Sequence, residues 1–417
     1  MEVKLTSRDL VLTSIAHKEP DRVPVDIGST PSSGISAVAY KNLMDYMGID
    51  GHTRIYDVVQ QLAQPEDWFI ERFKIDILDI GRSFNTSDED WYEITMPNGK
   101  KGEYPRWFKP VKQKDGGWYA YDKDGTLIAK MPAGAAFFDQ THFPYIDGYP
   151  DNYKDLPKAM SKVLWAALVH SPWDNMDMPD FWDELGKRAI KLRETTDKAL
   201  MVVAGCNLFE WGTFLRRIDN FLMDLILDQK NVEKLLDALM EQHIPFLEKV
   251  CSAVGDVVDI IRFGDDLGMD TGPFMQPEIY KKLFKPRHKM LCDYVKSHSK
   301  MHTFIHSCGS IYKFIPDLIE AGIEIINPVQ TNAKDMEPEK LKKEFGNDVT
   351  FWGGGADTRS VLNRETPEEV KKHVLERLKI FSRGGGFIFN TVHNILPDVP
   401  PENILAMFEA IKEFNGS

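Results

Sequence analysis

His306 and Cys308 stand two residues apart at the end of a mostly apolar run, residues 301–305, and Gly309 follows them. Side chains at positions i and i+2 of a β-strand lie on the same face, so both can be directed at one centre. An imidazole and a thiolate form a ligand pair of the kind that zinc binds in proteins. At the end of a strand, two such ligands favour a catalytic metal site over a structural one. The pattern predicts a zinc site that needs a third ligand.

His393 lies at the end of another predicted strand and is the candidate for that third ligand. A lone histidine or cysteine at a strand end is more often a packed or hydrogen-bonded residue, and His393 alone could hold a loop through its ring nitrogens. The spaced pair His306 and Cys308, combined with His393, favours the metal site. The remaining cysteines lie in helical or apolar surroundings and are predicted to be core residues: Cys206, Cys251 and Cys292.

The elements that position these residues follow a recurring pattern. A short apolar run is followed by a glycine or acidic turn and then by an amphipathic helix, which predicts a parallel α/β fold. Eight such runs occur, the number that closes a (β/α)8 TIM barrel. The predicted strands are residues 22–28, 75–81, 200–205, 257–263, 301–306, 323–329, 349–353 and 386–392.

Helix starts are marked by proline and by capping residues. The segment from Thr366 to Glu369 combines an N-cap threonine, a first-turn proline and the glutamate of a capping box. Pro277, Pro338 and Pro401 are predicted to begin three other helices in the same way.

Residues 83–149 interrupt the pattern after the second strand, and their Asn-Gly and Asp-Gly turns predict hairpins between short strands. We interpret residues 1–417 as a single barrel domain that carries residues 83–149 as a β-rich insertion across one end. The insertion is rich in aromatic residues, most of which a small sheet needs for its own packing. A further hypothesis is that some of them, such as Trp107 and Trp118, form a lid that excludes water and favours a planar substrate.

Polar side chains follow nearly every predicted strand at its carboxyl end, where chemistry collects in a parallel barrel. Of the adjacent Asp265 and Asp266, one is expected to serve the turn and the other to face the cavity as a general acid, a substrate anchor or a further metal ligand. Glu210 is a third catalytic candidate, although a carboxylate at a helix start is favoured whatever its function. The candidates for substrate binding are Asn207, Gln330, Asp79 and Asn390.

The charge balance excludes some partners. Lys and Arg number 51 against 64 for Asp and Glu, a formal charge of -13 without a basic tract, so nucleic acid is not an expected partner.

Four cysteines without paired spacing suit a reducing compartment. Because no run reaches membrane-spanning length and no signal core is present, we expect a cytoplasmic protein with no membrane partner. The sequence leaves the oligomeric state open, and a homodimer is compatible with it.

Five short segments carry a resemblance to a known family. They are residues 20–24 (PDRVP), 306–309 (HSCG), 384–389 (GGGFIF), 396–397 (LP) and 400–404 (PPENI). Together they resemble the uroporphyrinogen decarboxylase superfamily over nearly the whole chain apart from the insertion. The resemblance implies a single (β/α)8 barrel, in agreement with the strand count.

Two branches of that superfamily imply different chemistry. The decarboxylase branch is metal-free and uses an arginine-rich motif just after the first strand, whereas residues 28–34 (GSTPSSG) contain no arginine here. A polyanionic porphyrinogen would therefore lack its principal charge partners. A metal-free decarboxylase or lyase is kept as the alternative, and a non-catalytic barrel that binds an aromatic or corrinoid ligand is a third hypothesis.

The other branch consists of corrinoid-linked methyltransferases in which a His-x-Cys pair and a late cysteine bind zinc. His306 and Cys308 match the pair, and His393 stands at about the place of the late cysteine. Histidine can replace the thiolate and leaves a more Lewis-acidic ion. Gln330 stands near the position of a glutamate in the more distantly similar cobalamin-independent methionine synthases. Because an amide is a poor zinc ligand, Gln330 is expected to contact substrate or the ligands themselves.

The resemblance implies a zinc-dependent methyltransferase. It would move a methyl group between a small methylated substrate, with a methoxyaromatic or other methyl ether favoured, and the cobalt of a corrinoid. The sequence has no corrinoid-binding Asp-x-His-x-x-Gly motif, so the corrinoid (cobalamin) is expected on a separate partner protein. Asp265 or Asp266 would supply a proton to the leaving oxygen.

Overall fold

The computed structural model describes residues 5–416. A sheet of seven parallel strands lies at its centre, and neighbouring strands in the sheet follow one another along the chain. These strands are β1 (Ile77–Asp79), β2 (Ala199–Gly205), β3 (Ile260–Gly264), β4 (His302–His306), β5 (Ile325–Asn327), β6 (Thr350–Trp352) and β7 (Phe387–Ile388).

Residues 24–26 close the sheet into a barrel. The amide of Asp26 donates to the carbonyl of Phe389 at 2.9 Å, and the amide of Phe389 donates to the carbonyl of Pro24 at 2.8 Å. On the other side, the amide of Asp76 donates to the carbonyl of Val25 at 2.8 Å. Since Pro24 has no amide hydrogen, only a short ladder can form here. The predicted (β/α)8 barrel is confirmed, with residues 24–26 in its eighth position.

The barrel interior is built in two layers, because side chains two residues apart on a strand share a face. The lower layer is apolar and fully buried, and it includes Ile77, Met201, Ile260, Phe304, Ile325, Trp352 and Ile388. Two residues further on, the same strands place polar side chains in the layer that faces the carboxyl ends: Asp79, Arg262, His306, Asn327 and Asn390. In five of the seven cases the residue two positions after the apolar one is polar, which positions a polar floor inside a packed barrel.

Helices surround the sheet, and several begin where the sequence predicts. Thr366 forms the expected capping box with Glu369, and proline occupies the first turn of the helices that begin at Pro277, Pro338 and Pro401. No helix within residues 5–416 is long and apolar enough to cross a membrane. The α-helices are Ser7–Ile15, Ala37–Met47, Asp67–Arg72, Leu156–Met160, Leu164–Ala167, Phe181–Thr195, Phe209–Arg216, Ile218–Leu227, Gln229–Val254, Pro277–Ile279, Lys285–His298, Ile315–Glu320, Pro338–Phe345, Pro367–Phe381 and Pro401–Phe414. A π-helical turn spans Tyr280–Phe284, and 3-10 turns span Pro31–Ser33, Ile80–Ser83, Asp88–Asp90, Trp173–Asn175 and Tyr312–Phe314.

Small antiparallel sheets lie outside the barrel. The segment after β1 contacts the rest of the chain through the amide of Phe138, which donates to the carbonyl of Val59 at 2.9 Å, and through Gln140, whose Nε2 donates to the carbonyl of Phe214 at 2.7 Å. One sheet contains Ile35–Ser36, Ile55–Asp57 and Leu62–Ala63. After β1, Trp91–Thr95 pairs with Lys101–Pro105, and a second sheet contains Val111–Lys112, Trp118–Tyr121, Leu127–Met131 and Asp139–Gln140. Gly268–Met269 and Gly272–Pro273 form a hairpin.

Candidate metal centre and active site

The loop after β4 holds Cys308 in a fixed position. The amide of Cys308 donates to Asp266 Oδ1 at 2.8 Å, and the amide of Gly309 donates to Gln330 Oε1 at 2.9 Å. Gly309 has a φ of +82° and packs so closely on Gly268 that a Cβ atom would lie 2.3 Å from its backbone. Only glycine fits this turn, which brings Cys308 back over the barrel.

His393 lies in the loop after β7, and its ring is close to that of His306. Its φ is +71°, in the left-handed region that a residue with a side chain rarely adopts. The ring centroids of His393 and His306 lie 5.4 Å apart. Backbone strain of this kind is maintained only where the surrounding structure fixes it, and it is concentrated at functional positions.

Ligand atoms of His306, Cys308 and His393 all lie within 4.8 Å of one another. Cys308 Sγ is 3.4 Å from His306 Nε2, close to the roughly 3.5 Å that separates two ligands of a tetrahedral zinc ion. Nitrogen and sulfur are the donors that zinc prefers, and three protein ligands leave one coordination position open. The three residues therefore fit a catalytic zinc ion.

The protonation states of the three candidate ligands also suit the binding of a cation. Burial lowers the pKa of His306 to about 3 and that of His393 to about 3, so both imidazoles are neutral and able to bind a metal at pH 7. Burial, together with the carboxylates of Asp266 and Glu210, raises the pKa of the Cys308 thiol. A bound cation would favour the thiolate and release its proton.

Asn327 fixes the orientation of His306. Its Nδ2 donates to the carbonyl of Trp352 at 2.8 Å, so its Oδ1 is the acceptor for His306 Nδ1 at 2.7 Å and for Ser32 Oγ at 2.9 Å. The proton of His306 is therefore on Nδ1, and the lone pair of Nε2 is left for a metal.

Asn327→Ala is expected to weaken zinc affinity by about 10- to 100-fold, because the ring of His306 loses the partner that sets its tautomer and direction. Competition with a chelating dye measures the affinity. Asn403→Ala is the matched control, since Asn403 is also buried but donates to the carbonyls of Leu362 and Glu365. Equal zinc affinities in the two variants would contradict this role of Asn327.

A cavity of about 510 Å³ lies over this cluster at the carboxyl ends of the strands. The cavity has an apolar wall of Trp165, Trp173, Trp211, Phe214 and Phe246, and His306 and His393 are among the polar residues that line it. A volume of this size suits a small organic ligand. An apolar wall facing a few polar groups suits a substrate with an apolar body and a single reacting heteroatom.

Three of the predicted polar residues line this cavity: Asn207, Glu210 and Asp266. Asn207 Nδ2 donates to Glu210 Oε2 at 2.5 Å. Burial and the neighbouring carboxylates Asp266 and Asp265 raise the pKa of Glu210 well above its usual range. The protonated form of Glu210 is thus favoured, with one oxygen accepting from Asn207 and the other able to donate into the cavity.

Asp265 and Gln330 do not lie among the residues that line the cavity. Asp265 takes the turn role that was expected of one member of the acidic pair, and Gln330 contacts the loop of a metal-ligand candidate, which is one of its two expected roles. Asp265 Oδ2 accepts from the amide of Phe209 at 3.0 Å and from His288 Nε2 at 3.1 Å, and Oδ1 accepts from the amide of Glu210 at 2.8 Å. Asp265 thereby anchors the start of the helix Phe209–Arg216. It faces away from the cavity, because adjacent side chains in the segment that follows β3 lie on opposite sides. Gln330 braces the loop of Cys308, with its Nε2 donating to Asp270 at 2.6 Å.

Asp79 and Asn390 are also placed in the barrel floor, outside the cavity lining. Asn390 Nδ2 donates to the carbonyl of Asp26 at 3.2 Å and thereby joins β7 to residues 24–26. Asp79 Oδ1 accepts from the amide of Gly81 at 3.0 Å, and burial raises the pKa of Asp79 to about 6. Both side chains contact the barrel backbone, and their contact with substrate stays a prediction.

Asp79→Asn is expected to flatten the dependence of stability on pH. The pKa of Asp79 is raised from 3.8 to about 6, so the native state holds this proton more tightly and the free energy of unfolding falls as pH rises from about 4 to 6. The uncharged amide of asparagine keeps the hydrogen bond to Gly81 and removes this decrease. The free energy of unfolding should therefore rise by about 2 to 3 kcal/mol at pH 7 and change little at pH 3. Urea titrations at several pH values measure the effect. The exposed Asp183→Asn is the control, and an unchanged slope in Asp79→Asn would contradict the assignment.

The hypothesis that aromatic residues of the insertion form a lid over the cavity is wrong. No residue of 83–149 belongs to the cavity lining, and Trp107 instead donates from Nε1 to Asp174 at 2.9 Å. The aromatic wall comes from residues 165–214 and from Phe246. These positions precede or follow β2 and carry no periodic pattern that separates lining residues from core residues.

Sequence reasoning also missed several polar residues that line the cavity: Asp57, Gln60, His170, His243 and Arg262. Arg262 offered a signal, because it is a charged residue within the apolar run of β3 and lies two residues after the buried Ile260. The others come from segments outside the barrel strands, whose approach to the cavity depends on long-range packing.

The chain forms a (β/α)8 barrel, and a polar cavity that can hold a metal lies at the carboxyl ends of its strands. This arrangement is typical of barrel enzymes. Residues 206–414 match the family model described as uroporphyrinogen decarboxylase (URO-D). The chain belongs to the uroporphyrinogen decarboxylase family, an enzyme family, and the predicted resemblance is confirmed.

Individual relatives agree with this assignment. The uroporphyrinogen decarboxylase of Rickettsia felis is 25% identical over 288 residues, which cover 66% of this chain and 69% of that protein. The uroporphyrinogen decarboxylase of Chloroherpeton thalassium is 22% identical over 273 residues, 62% of this chain and 72% of the relative. Among solved structures, a methyltransferase from Methanosarcina mazei shares the fold with a TM-score of 0.58 and 17% identity, covering 98% of this chain and 99% of that one.

Proposed function

We propose that this protein is a zinc-dependent methyltransferase that moves a methyl group between a small methyl ether and the cobalt of a corrinoid carried by a separate protein. The observation that carries the proposal is the cluster of His306, Cys308 and His393, whose ligand atoms lie within 4.8 Å of one another beside the cavity. Three nitrogen and sulfur ligands with one open position are typical of a zinc ion that acts on a substrate.

His306, Cys308 and His393 would hold the metal, and Asn327 would keep the ring of His306 directed at it. When bound, zinc would supply a Lewis acid that draws charge from the ether oxygen. The methyl group leaves that oxygen without its bonding electron pair and forms a bond to Co(I) of the partner's corrinoid. The electron pair of the broken bond stays on the oxygen, which needs a proton.

Glu210 would supply that proton. Its carboxyl lines the cavity, its raised pKa favours the protonated form, and Asn207 donates to one of its oxygens. Asp266 also lines the cavity but accepts from the amide of Cys308, so its role is to position the loop. The apolar wall around Trp173 and Trp211 would hold the body of the substrate and keep water from the reacting oxygen.

The corrinoid is assigned to a partner protein, because the sequence contains no Asp-x-His-x-x-Gly motif. The cavity opens at the carboxyl ends of the strands, and the partner would have to dock there to bring cobalt to the methyl group. The fold shared with a methyltransferase from Methanosarcina mazei is compatible with this arrangement.

The family match favours one other candidate, a metal-free decarboxylase. Residues 28–34 argue against it, because they contain no arginine that could bind the carboxylates of a porphyrinogen. The His-Cys-His cluster would also have no purpose in a metal-free reaction.

The test compares both activities on the same preparation. Zinc-loaded protein is incubated with a Co(I) corrinoid and a panel of methoxyaromatics, methylamines and methyl thioethers, and methylcobalt formation is followed by its absorbance. We expect methyl transfer from aryl methyl ethers that stops when zinc is removed and resumes when zinc is restored. Decarboxylation of uroporphyrinogen by the metal-free protein, without methyl transfer, would replace the proposal with the alternative.

A further inference from the structure

The loop of Cys308 is held by contacts that reach its backbone from neighbouring loops. The amide of Gly309 donates to Gln330 Oε1 at 2.9 Å. The amide of Ser310 donates to the carbonyl of Met269 at 2.8 Å. Because these two residues directly follow Cys308, their contacts help to fix the direction in which its thiol leaves the backbone. The thiol is a candidate metal ligand, so the groups that hold these amides affect how well it can bind an ion.

Gln330 is buried, and its side-chain amide has one orientation that satisfies both of its contacts. A backbone amide can only donate, so the Oε1 atom of Gln330 faces Gly309. The Nε2 atom is then left for Asp270 and donates to its Oδ1 atom at 2.6 Å. A carboxylate only accepts, so the side chain of Asp270 determines which end of the Gln330 amide faces Gly309.

Asp270 lies in the hairpin formed by Gly268–Met269 and Gly272–Pro273, and 62% of its side-chain surface is exposed. Arg359 Nη1 donates to both of its oxygens, at 3.1 and 3.0 Å, and the side chain of Arg359 is 58% exposed. An exposed ion pair of this kind adds little to the free energy of folding. An exposed carboxylate with little weight for folding thus sets the orientation of a buried amide next to the loop of Cys308.

We propose that Asp270 is a positioning residue of the metal centre, which acts through Gln330 to hold Cys308 in place for the ion. This inference rests on the proposed function for its metal ion and not for its methyl transfer. Asp270 belongs neither to the ligand cluster nor to the residues that line the cavity. It keeps the accepting end of the Gln330 amide on Gly309, and Arg359 holds the carboxylate of Asp270 in position.

Three substitutions at Asp270 differ in what they offer to the amide of Gln330. Asp270→Asn keeps an oxygen that accepts from Nε2, so zinc affinity should stay close to that of the wild type. Asp270→Ala removes the acceptor and should weaken zinc binding several-fold. Asp270→Lys presents a donor, which favours the reversed amide and directs Nε2 at the amide of Gly309. Its zinc affinity, measured by competition with a chelating dye, should fall by about 10- to 100-fold.

Cobalt(II) in place of zinc reports on the thiolate of Cys308 directly. A cobalt(II) ion bound to a thiolate has a charge-transfer absorption in the near ultraviolet, and the intensity of this band follows the cobalt–sulfur bond. At saturating cobalt we expect the wild-type band in Asp270→Asn and a weakened band in Asp270→Lys. A loss of folding stability alone would leave the band unchanged in the protein that remains folded, so the band separates a positioning role from a structural one.

Glu339→Lys is the matched control for the charge reversal. Glu339 pairs with Arg383 at 3.3 Å, and the two side chains are 62% and 63% exposed, close to the values for Asp270 and Arg359. Within residues 5–416 no hydrogen bond joins this pair to Gln330. Glu339→Lys should therefore leave the zinc affinity and the cobalt band unchanged.

A double variant separates the ion pair from the contact with Gln330. Asp270→Lys combined with Arg359→Glu restores an ion pair of reversed direction, but position 270 still offers no acceptor to Nε2 of Gln330. We expect this variant to keep the weakened zinc binding and the weakened cobalt band of Asp270→Lys. Full recovery of both would mean that the ion pair itself holds the loop, and the inference would be wrong.

The same measurements distinguish failure of this inference from failure of the proposed function. If the wild type binds zinc and shows the thiolate band, and Asp270→Lys does so equally, the metal centre stands and Asp270 has no part in positioning Cys308. If the wild type binds cobalt without a thiolate band, or binds no metal, the proposed function and this inference fail together.

Discussion

Cys308→Ala is expected to lose zinc and to lower methyl transfer by about 10³-fold. The substitution removes the one sulfur ligand and its negative charge, and it leaves two neutral imidazoles, His306 and His393. Zinc affinity should fall by about 100-fold or more, because a site of two neutral ligands holds the ion weakly. Metal content after gel filtration and the rate of methylcobalt formation measure the two effects.

Cys206→Ala is the matched control for Cys308. Cys206 lines the same cavity and is buried, but its Sγ atom contacts the carbonyl of Ala204 at 3.8 Å and does not belong to the ligand cluster. We expect this variant to retain one zinc ion per chain. If Cys308→Ala retains as much zinc as Cys206→Ala, the assignment of the thiolate ligand fails.

Glu210→Gln is expected to reduce methyl transfer by about 10²- to 10⁴-fold for ethers with poor leaving groups. Glutamine keeps the size of the side chain and can still accept from Asn207, but it carries no acidic proton. Because burial raises the pKa of Glu210, the protonated form of the wild-type residue is favoured, and activity should fall as pH rises through that pKa. The rate of Glu210→Gln should lack this decrease.

The leaving group provides an internal test of the role of Glu210. An ether of a nitrophenol leaves as a stable anion and needs little proton transfer, so Glu210→Gln should slow it by about tenfold or less. Glu241→Gln, at an exposed position of the helix Gln229–Val254, is the control and should be fully active. An equal loss for good and poor leaving groups would remove Glu210 from the proton transfer.

Much of the fold could be predicted, because each barrel strand falls on a short apolar run and polar or glycine residues follow several of these runs. The predicted run 257–263 corresponds to Ile260–Gly264, and the predicted run 323–329 corresponds to Ile325–Asn327. The predicted ranges were too long, since strand ends in a barrel are set by neighbouring strands and not by the chain itself. Residues 22–28 form only a bridge at Val25, because Pro24 cannot donate to a ladder.

The site was predictable where local spacing determines it. The spacing of His306 and Cys308 identified the pair, although Cys308 lies in the loop after β4 and not on the strand. His393 was identified from its place after another barrel strand. Side-chain partners were not predictable in the same way. Asp265 and Asp266 are adjacent and chemically alike, and only the packing of His288 and of the helix Phe209–Arg216 determines which one faces away from the cavity.

X-ray absorption at the zinc edge of the metal-loaded protein tests the central claim most directly. The cluster of His306, Cys308 and His393 predicts one zinc per chain with one sulfur at about 2.3 Å and two nitrogens at about 2.0 Å. A further oxygen or nitrogen ligand should complete the coordination and change when a methyl ether or its alcohol product is added. A zinc environment without sulfur, or a protein that binds no zinc at one equivalent, would contradict the account.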